Sequence, residues 1–259
     1  MDSTVSLAAH HVSLELPLFL QNERNARSWF TMLAGAAFDL PRREFRTILK
    51  DISFSASDGD RIAIVGRNGV GKSTLLRVLT GAYQPTRGHI ETRGGVQALL
   101  NVSLGFSGEA TVRENVFLRG TAMGLRAAQI RELVEPVLEF AEISGKANHR
   151  LKTLSSGQRM RLGFSIATAA QHDIIIMDEW IGTGDAAFIK KAKSRMLNRV
   201  EGAKIVVLAS HNASLIRNVC NKGLLIDNGE IVFAGDTTDV LKEYKSLLDA
   251  MAGDGISVR

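Results

Sequence analysis

The sequence predicts an α/β fold in which a helical insertion interrupts the alternation of strands and helices. Short apolar runs, which are typical of strands buried on both faces, recur along the chain. They are IAIV at 62–65, IIIM at 174–177 and IVVLA at 205–209. Helical spacing follows each run, and residues from about 103 to 170 are predicted to be mostly helical. We therefore expect a single domain over 1–259, with a mixed sheet, an antiparallel β subdomain and a helical subdomain at about 103–170.

Local patterns predict the remaining elements. Apolar residues alternate with polar ones at Val12, Leu14 and Leu16, which predicts a short strand ending at Pro17. Further strands are predicted for ILKDISFSA, GHIETR and GVQALL. Thr111 is suited to cap the helix that begins VRENV, and serines open the helix SSGQRMRLGFSIATAA. Asn228-Gly229 lies between alternating apolar residues and predicts a hairpin with a type I′ turn.

Composition excludes several classes of protein. Apolar residues make up 45% and charged residues 23% of the 259 residues, with 24 Gly and 4 Pro, as in globular domains. The net charge of +5 suits anionic partners and leaves nucleotide, lipid headgroup and nucleic acid open. A single cysteine, Cys220, permits no intrachain disulfide and fits a reducing compartment. No signal peptide or membrane span is recognised, so we expect a cytosolic chain.

A basic and aromatic insert occupies residues 19–44. Its helical candidate, NERNARSWFTMLAGAAF, carries arginines before aromatic and aliphatic residues. One interpretation is a surface helix that packs its apolar face on the domain. The other is a contact with an anionic pyrophosphate lipid, a membrane surface or a membrane partner. The residues that motivate the second interpretation are Arg24, Arg27, Trp29, Arg42 and Arg43.

Residues 66–74, GRNGVGKST, match G-x-x-x-x-G-K-[ST] between an apolar strand and a helix, where that phosphate-binding motif belongs. Glycines let backbone N–H groups turn toward a phosphate, and the helix N-terminus adds partial positive charge. Lys72 would contact the β- and γ-phosphates, and Ser73 would be a Mg²⁺ ligand. The predicted nucleotide-binding residues are Gly66, Asn68, Gly69, Gly71, Lys72, Ser73 and Thr74.

Two carboxylates, Asp178 and Glu179, follow the run IIIM. The end of a strand places them at the sheet edge where ligands bind in α/β folds. Asp178 would hold Mg²⁺ through water, and Glu179 would orient or polarise the attacking water. Alone, such a pair is usually a solvated strand end, but the phosphate-binding motif favours the catalytic interpretation.

The segment LSSGQ at 154–158 resembles the LSGGQ signature of ABC-type ATPases, with Ser156 in place of the first glycine. The order of motifs also resembles that family over residues 46–235. The phosphate-binding loop comes first, and the helical insertion, the signature, the Walker B acid Asp178 and a later histidine follow. The resemblance implies that His211, in LASHN, contacts the γ-phosphate and that Asp185 is the D-loop aspartate. The five other histidines are interpreted as structural.

The family resemblance also implies a mechanism. Two ATP molecules would be sandwiched in a head-to-tail homodimer, or beside a similar subunit, so that one chain's signature serves the ATP of the other. The signature residues with this role would be Ser155, Gly157 and Gln158. ATP with Mg²⁺ would close the dimer, hydrolysis at Glu179 would release it, and the movement would drive a membrane partner.

Four stretches resemble one branch of the family, the ATP-binding subunits of polysaccharide exporters. They are HVSLELPLF, LLNVSLGFSGEATVRENVFLRG, SSGQRMRLGFSIAT and EWIGTGDAAF. These exporters move lipid-linked O-antigen, capsule or teichoic acid chains through an ABC-2 type permease, and the second stretch most resembles the O-antigen exporters. The resemblance implies two permease copies and a location on the cytoplasmic face of the inner membrane. We expect no C-terminal carbohydrate-binding domain.

Two positions depart from the family pattern or stay open. No glutamine matches the Q-loop around 101–104, and Gln97 lies too early. Phe45 precedes its strand at the distance of the adenine-stacking aromatic, but it could equally belong to the core.

Three rival functions are weighed against export. A small-molecule or drug ABC transporter is the main one. An ABC ATPase on nucleic acid is less consistent, because the chain has neither two cassettes nor a long coiled coil, so we expect no nucleic-acid partner. A binding module without turnover is disfavoured by the presence of both Glu179 and His211.

Overall fold

The structure is a computed structural model that describes residues 4–19, 43–100, 105–179 and 185–253. Most of the basic insert, residues 20–42, and the Q-loop region at 101–104 lie outside the described residues. Nine strands and seven α-helices lie within the described ranges. None of these helices is both long enough and apolar enough to cross a membrane.

The elements follow one another in an α/β order, with three consecutive helices between β5 and β6. The strands are β1 (Ser6–Phe19), β2 (Arg43–Ser57), β3 (Arg61–Val65), β4 (Arg87–Arg93), β5 (Val96–Leu99), β6 (Ile174–Asp178), β7 (Ile205–Ala209), β8 (Lys222–Asp227) and β9 (Glu230–Asp236). The helices are α1 (Lys72–Leu79), α2 (Val112–Ala122), α3 (Ala127–Phe140), α4 (Ser156–Ala167), α5 (Ala186–Gly202), α6 (Ala213–Val219) and α7 (Thr237–Gly253).

The central sheet has six strands in the order β5-β6-β7-β3-β8-β9. All neighbouring pairs are parallel except β8 and β9, so the predicted mixed sheet is confirmed. Successive residues of a strand point to opposite faces. In β6, Ile174 and Ile176 pack into the core that contains α1, whereas Ile175 and Met177 pack into the core that contains α5 and α6. Burial on both faces explains why the strands are uninterrupted apolar runs.

A second sheet, of order β2-β1-β4, is antiparallel and covers the first core. The prediction of a short strand ending at Pro17 is wrong, because β1 runs from Ser6 to Phe19. A register shift after His10 and a positive φ of 49° at His11 change the phase of the buried residues. Leu7 and Ala9 are therefore buried out of step with Val12 and Leu14, and the alternation predicted only the second half of the strand.

Pro17 is tolerated inside β1 because the paired part of β4 does not reach this end of the strand. The pairing of β4 with β1 extends only to Ser13, so beyond that point β1 has β2 as its paired neighbour. A proline without an N–H can occupy a strand that has one side unpaired.

Three helices, α2, α3 and α4, follow β5 and precede β6 in the chain, and they surround a third core. Thr111 caps α2, with its Oγ1 accepting from the backbone N–H of Glu114, as predicted. At the hairpin between β8 and β9, Asn228 and Gly229 have φ values of 47° and 82°, which confirms the type I′ prediction.

Candidate active site

The strand order brings the predicted chemical groups to one edge of the central sheet. β6, β7 and β3 are adjacent and parallel, so their carboxyl ends lie side by side. Asp178 ends β6, Ser210 follows β7, and Gly66 follows β3. Groups separated by more than a hundred residues in the chain thus meet where ligands bind in open α/β sheets.

The loop between β3 and α1 depends on glycine at two positions. Gly66 has φ of 152°, and a Cβ built there would lie 2.3 Å from the carbonyl oxygen of Ile226. Gly71 has φ of 108° at the N-cap of α1, where a Cβ would lie 3.0 Å from the carbonyl oxygen of Ile48. The loop can therefore approach β8 and β2 closely, and the N-terminus of α1 is left free to face an anion.

Lys72 is the first residue of α1, and it is only 8% exposed. Its Nζ donates hydrogen bonds to the carbonyl oxygens of Gly66 and Arg67, both at 2.7 Å. Burial lowers the pKa of this ammonium group, and the charges of Asp178 and Glu179 act in the opposite direction. The cation is thus held beneath the loop, beside the two carboxylates of the β6 end.

These groups surround a cavity of about 700 Å³. Its walls come from the glycine-rich loop, from α1, from the ends of β6 and β7 and from β2. The lining residues are Arg46, Ile48, Asn68, Gly69, Gly71, Lys72, Ser73, Thr74, Asp178, Glu179, Ala209, Ser210 and His211. The structure therefore brings nine predicted residues together around this cavity, whereas Gly66, at the start of the loop, is not among the lining residues.

Glu179 has a left-handed backbone, with φ of 58°. Its backbone N–H donates to the carbonyl oxygen of Ala209 at 2.8 Å, which ties this residue to the end of β7. Positive φ is uncommon for residues other than glycine, and such strained positions cluster at functional sites. The side chain of Glu179 lines the cavity at the end of β6.

Four residues of the cavity wall were not predicted. Ser210 and Ala209 are neighbours of His211, so the signal that found His211 could have found them. Arg46 and Ile48 belong to β2, and only the packing of the antiparallel sheet on the loop places them here. Their two-residue spacing puts them on one strand face.

Phe45 does not line this cavity. The alternative that it belongs to the core is wrong, because its side chain is 61% exposed. Its role in stacking on adenine stays a prediction.

The signature segment lies at the N-terminus of α4. Ser155 Oγ accepts from the backbone N–H of Gln158 at 3.2 Å, and Gln158 Oε1 accepts from the backbone N–H of Ser155 at 3.2 Å. Lys146 Nζ also donates to Gln158 Oε1 at 3.2 Å. A Cβ at Gly157 would meet no atom within 4 Å. None of these residues lines the cavity around Lys72, so the structure does not join the two predicted sites within one chain.

Asp185 caps α5 and also lies away from that cavity. Its Oδ1 accepts from the backbone N–H of Phe188 at 2.9 Å, and its carboxylate pairs with Arg161 of α4. The hydrogen bond from Phe188 and the charge of Arg161 lower the pKa of Asp185. Arg161 also pairs with Glu142 at 2.6 Å, so a charged network connects the start of α5 to the signature helix.

Gln97 is buried between the central sheet and the helical insertion. The residue is 3% exposed in β5, and its Nε2 donates to the carbonyl oxygen of Ala167 at the end of α4. This contact joins the central sheet to the helical insertion.

Comparisons with known proteins identify the family of this chain. Residues 49–182 match the family described as ABC transporter. The O-antigen export system ATP-binding protein RfbB of Klebsiella pneumoniae is 31% identical over 92% of this chain and 96% of its own length. A protein of the same name from Myxococcus xanthus is 34% identical over 78% of this chain, which spans 46% of that longer relative.

The fold also matches solved structures. A dimeric post-hydrolysis state of the ATP-binding cassette MJ0796, bound to ADP and Pi, has a TM-score of 0.63 at 20% identity. The match covers 89% of this chain and 98% of that one.

The chain belongs to the ABC transporter family, and it is an ATP-binding subunit with ATPase activity. The predicted α/β fold class is confirmed, and so is the resemblance of the sequence to ABC-type ATPases. Subunits of this kind dimerise as ABC cassettes and work with membrane permeases.

Proposed function

We propose that this chain powers the export of a lipid-linked polysaccharide across the cytoplasmic membrane. The polysaccharide that the similarities favour is the O-antigen of lipopolysaccharide. The observation that carries the proposal is the similarity to RfbB of Klebsiella pneumoniae over 92% of this chain and 96% of the relative. The similarity extends over nearly the full length of both chains and is not confined to the ATP site.

The cavity around Lys72 supplies the groups that ATP hydrolysis needs. Lys72 and the N-terminus of α1 neutralise the phosphates. Glu179 orients the attacking water, and His211 contacts the γ-phosphate. Phosphoryl transfer requires chiefly this positioning and charge stabilisation from a protein.

Magnesium fits the same cavity because a hydroxyl and a carboxylate, which are hard oxygen ligands, both line it. Ser73 and Asp178 would hold the ion. When bound, Mg²⁺ neutralises charge on the β- and γ-phosphates.

The signature completes the ATP site in a homodimer. Ser155, Gly157 and Gln158 lie apart from the cavity of their own chain, but the open space above Gly157 leaves room for a ligand held by a second copy. In this arrangement, two chains bind two ATP molecules, and Asp185 acts beside the signature through Arg161.

The dimer works with two copies of an ABC-2 type permease at the cytoplasmic face of the inner membrane. The basic residues between 19 and 44 provide a candidate contact with anionic lipid. Wild-type export after Arg24, Arg27, Arg42 and Arg43 are changed to Ala would refute that contact.

The test of export uses the native host. The variant Glu179→Gln is compared with Glu201→Gln, a control at an exposed position near the end of α5. We expect Glu179→Gln to abolish surface polysaccharide and to accumulate lipid-linked polymer inside, with no change in the control. Unchanged surface glycan, together with lost ATPase activity, would refute polysaccharide export and favour a small-molecule or drug transporter.

A further inference from the structure

Two histidines and one glutamate lie together on the outer face of the antiparallel sheet, away from the ATP site. His10 of β1 and His89 of β4 are direct partners in the strand register. Their rings are stacked, with centroids 4.9 Å apart and planes at 23°. Glu91 follows His89 by two residues, so both side chains lie on the same face of β4.

The potential ligand atoms of these three side chains are already close. One atom from each of them, an imidazole nitrogen or a carboxylate oxygen, lies within 4.8 Å of the others. His89 Nε2 and Glu91 Oε1 are 3.4 Å apart. All three side chains are exposed, so they can be reached from solvent.

The local backbone explains the grouping. β1 loses its regular register with β4 immediately after His10, and the next residue, His11, has a positive φ. Regular pairing on the N-terminal side of this shift holds His10 opposite His89. Two neighbouring strands therefore fix the Cα positions of the three side chains.

We propose that His10, His89 and Glu91 form a binding site for a divalent transition-metal ion, with Zn²⁺ as the best-fitting one. Two imidazoles and one carboxylate are a recurrent three-ligand set for zinc, and water takes the fourth position. Bonds of about 2.0–2.2 Å in a tetrahedron separate the ligand atoms by about 3.3 Å. Rotation of exposed side chains can reduce the present 4.8 Å to that distance.

The ligand set selects against Mg²⁺ and Ca²⁺, which prefer sites built from oxygen. Arg87 and Arg93 at the two ends of β4 also disfavour an ion that is held by charge alone. A bound transition metal would connect β1 to β4 and stabilise the folded chain by mass action.

The test is calorimetric titration of the metal-free full chain with Zn²⁺, and with Mg²⁺ for comparison. We expect saturable Zn²⁺ binding at one such site per chain, a melting temperature that rises with Zn²⁺, and no competition from Mg²⁺ for this site. His10→Ala, His89→Ala and Glu91→Gln should each weaken binding by at least about tenfold, since loss of even an outer-shell partner costs that much.

Two controls separate this site from other histidines. His149→Ala removes an exposed histidine elsewhere, and His211→Ala removes the histidine of the ATP cavity; both should keep the affinity of the wild type. His89→Cys should restore binding relative to His89→Ala, because a thiolate also ligates zinc. Far-UV circular dichroism of each metal-free variant shows that the fold is kept.

Three outcomes would overturn the proposal. The first is a wild-type chain without saturable Zn²⁺ binding, and the second is a folded His89→Ala variant with wild-type affinity. The third is equal loss of affinity in His149→Ala. None of them depends on what the transporter exports.

Discussion

Glu179 shows how single residues set the geometry of the ATP site. It is the first residue after β6, and its left-handed backbone is held by a hydrogen bond to Ala209. Beside it, the Lys72 ammonium group is buried under the carbonyl groups of Gly66 and Arg67. The carboxylate and the ammonium group thus belong to rigid positions, which is what transition-state stabilisation requires.

At this scale we expect Glu179→Gln to reduce ATP hydrolysis by about 10²- to 10⁴-fold, the usual contribution of a general base. ATP binding should persist, because the amide has the same shape and the phosphate contacts of Lys72 are unchanged. Phosphate release and nucleotide binding measure the two effects. Glu201→Gln is the matched control, and equal hydrolysis by both variants would contradict the assignment of Glu179.

Gly66→Ala should destabilise the fold by about 2–4 kcal/mol, since the added Cβ meets the carbonyl of Ile226 at a backbone conformation that alanine rarely adopts. Denaturant unfolding measures this difference. Gly145→Ala is the control, because a Cβ there meets nothing within 4 Å and φ is not positive. A Gly66→Ala variant as stable as that control would show that the loop can move away from β8.

At the scale of elements, Asp60 joins three strands. Its Oδ2 accepts from the backbone N–H of Ser57 at 2.9 Å, where β2 ends just before β3, and its Oδ1 pairs with Lys222 of β8 at 2.7 Å. Burial disfavours the carboxylate, but the hydrogen bonds from Lys222 and Ser57 outweigh it, so the pKa of Asp60 lies below its usual value. The turn between β2 and β3 therefore depends on an ionised side chain.

The lowered pKa gives a pH dependence with a definite sign. The ionised Asp60 stabilises the fold above the unfolded pKa of about 3.9, and that contribution is lost as pH falls through the lower folded pKa. Asp60→Asn should cost on the order of 1 kcal/mol at neutral pH and progressively less in acid. Denaturant midpoints measured across pH test this, with the exposed Asp249→Asn as control. A cost that stays constant below about pH 4 would contradict it.

At the scale of the whole molecule, the ATP cavity and the signature lie on separate parts of one chain. In the proposed homodimer, a second copy would bring a signature to each ATP. Gly157 has open space around it, and the capping hydrogen bonds between Ser155 and Gln158 keep this end of α4 ordered. The surface around the signature is therefore ordered within a single chain, before a second copy binds.

We expect Glu179→Gln to dimerise when ATP is added and the double variant Glu179→Gln/Gly157→Asp to stay monomeric. A Cβ at 157 meets no atom within 4 Å, and negative charge suits a helix N-terminus, so we expect the fold to be kept. The same charge repels the triphosphate bound by the partner. Light scattering measures the mass, with Gly235→Asp in place of Gly157→Asp as control. A double variant that dimerises like this control would contradict a role for the signature across the interface.

The sequence by itself determined what depends on neighbours in the chain. The phosphate-binding loop, the capping of α2 by Thr111, the turn at Asn228-Gly229 and the buried strands were all predicted, because short-range hydrogen bonding, backbone preferences and burial fix them. The end of the run IIIM placed Asp178 and Glu179 at the ligand-binding edge of the sheet, and the family resemblance added His211.

Only the tertiary structure decided what depends on the pairing of distant strands. The order β6-β7-β3 places Asp178 and His211 beside Lys72, and the packing of β2 adds Arg46 and Ile48. Pairing with β2 and β4 extends β1 to Ser6–Phe19, beyond the expected strand, and its register sets His10 opposite His89. Strand order, and the register of strands far apart in the chain, depend on long-range hydrogen bonds and on burial between two sheets, which neighbouring residues alone do not fix.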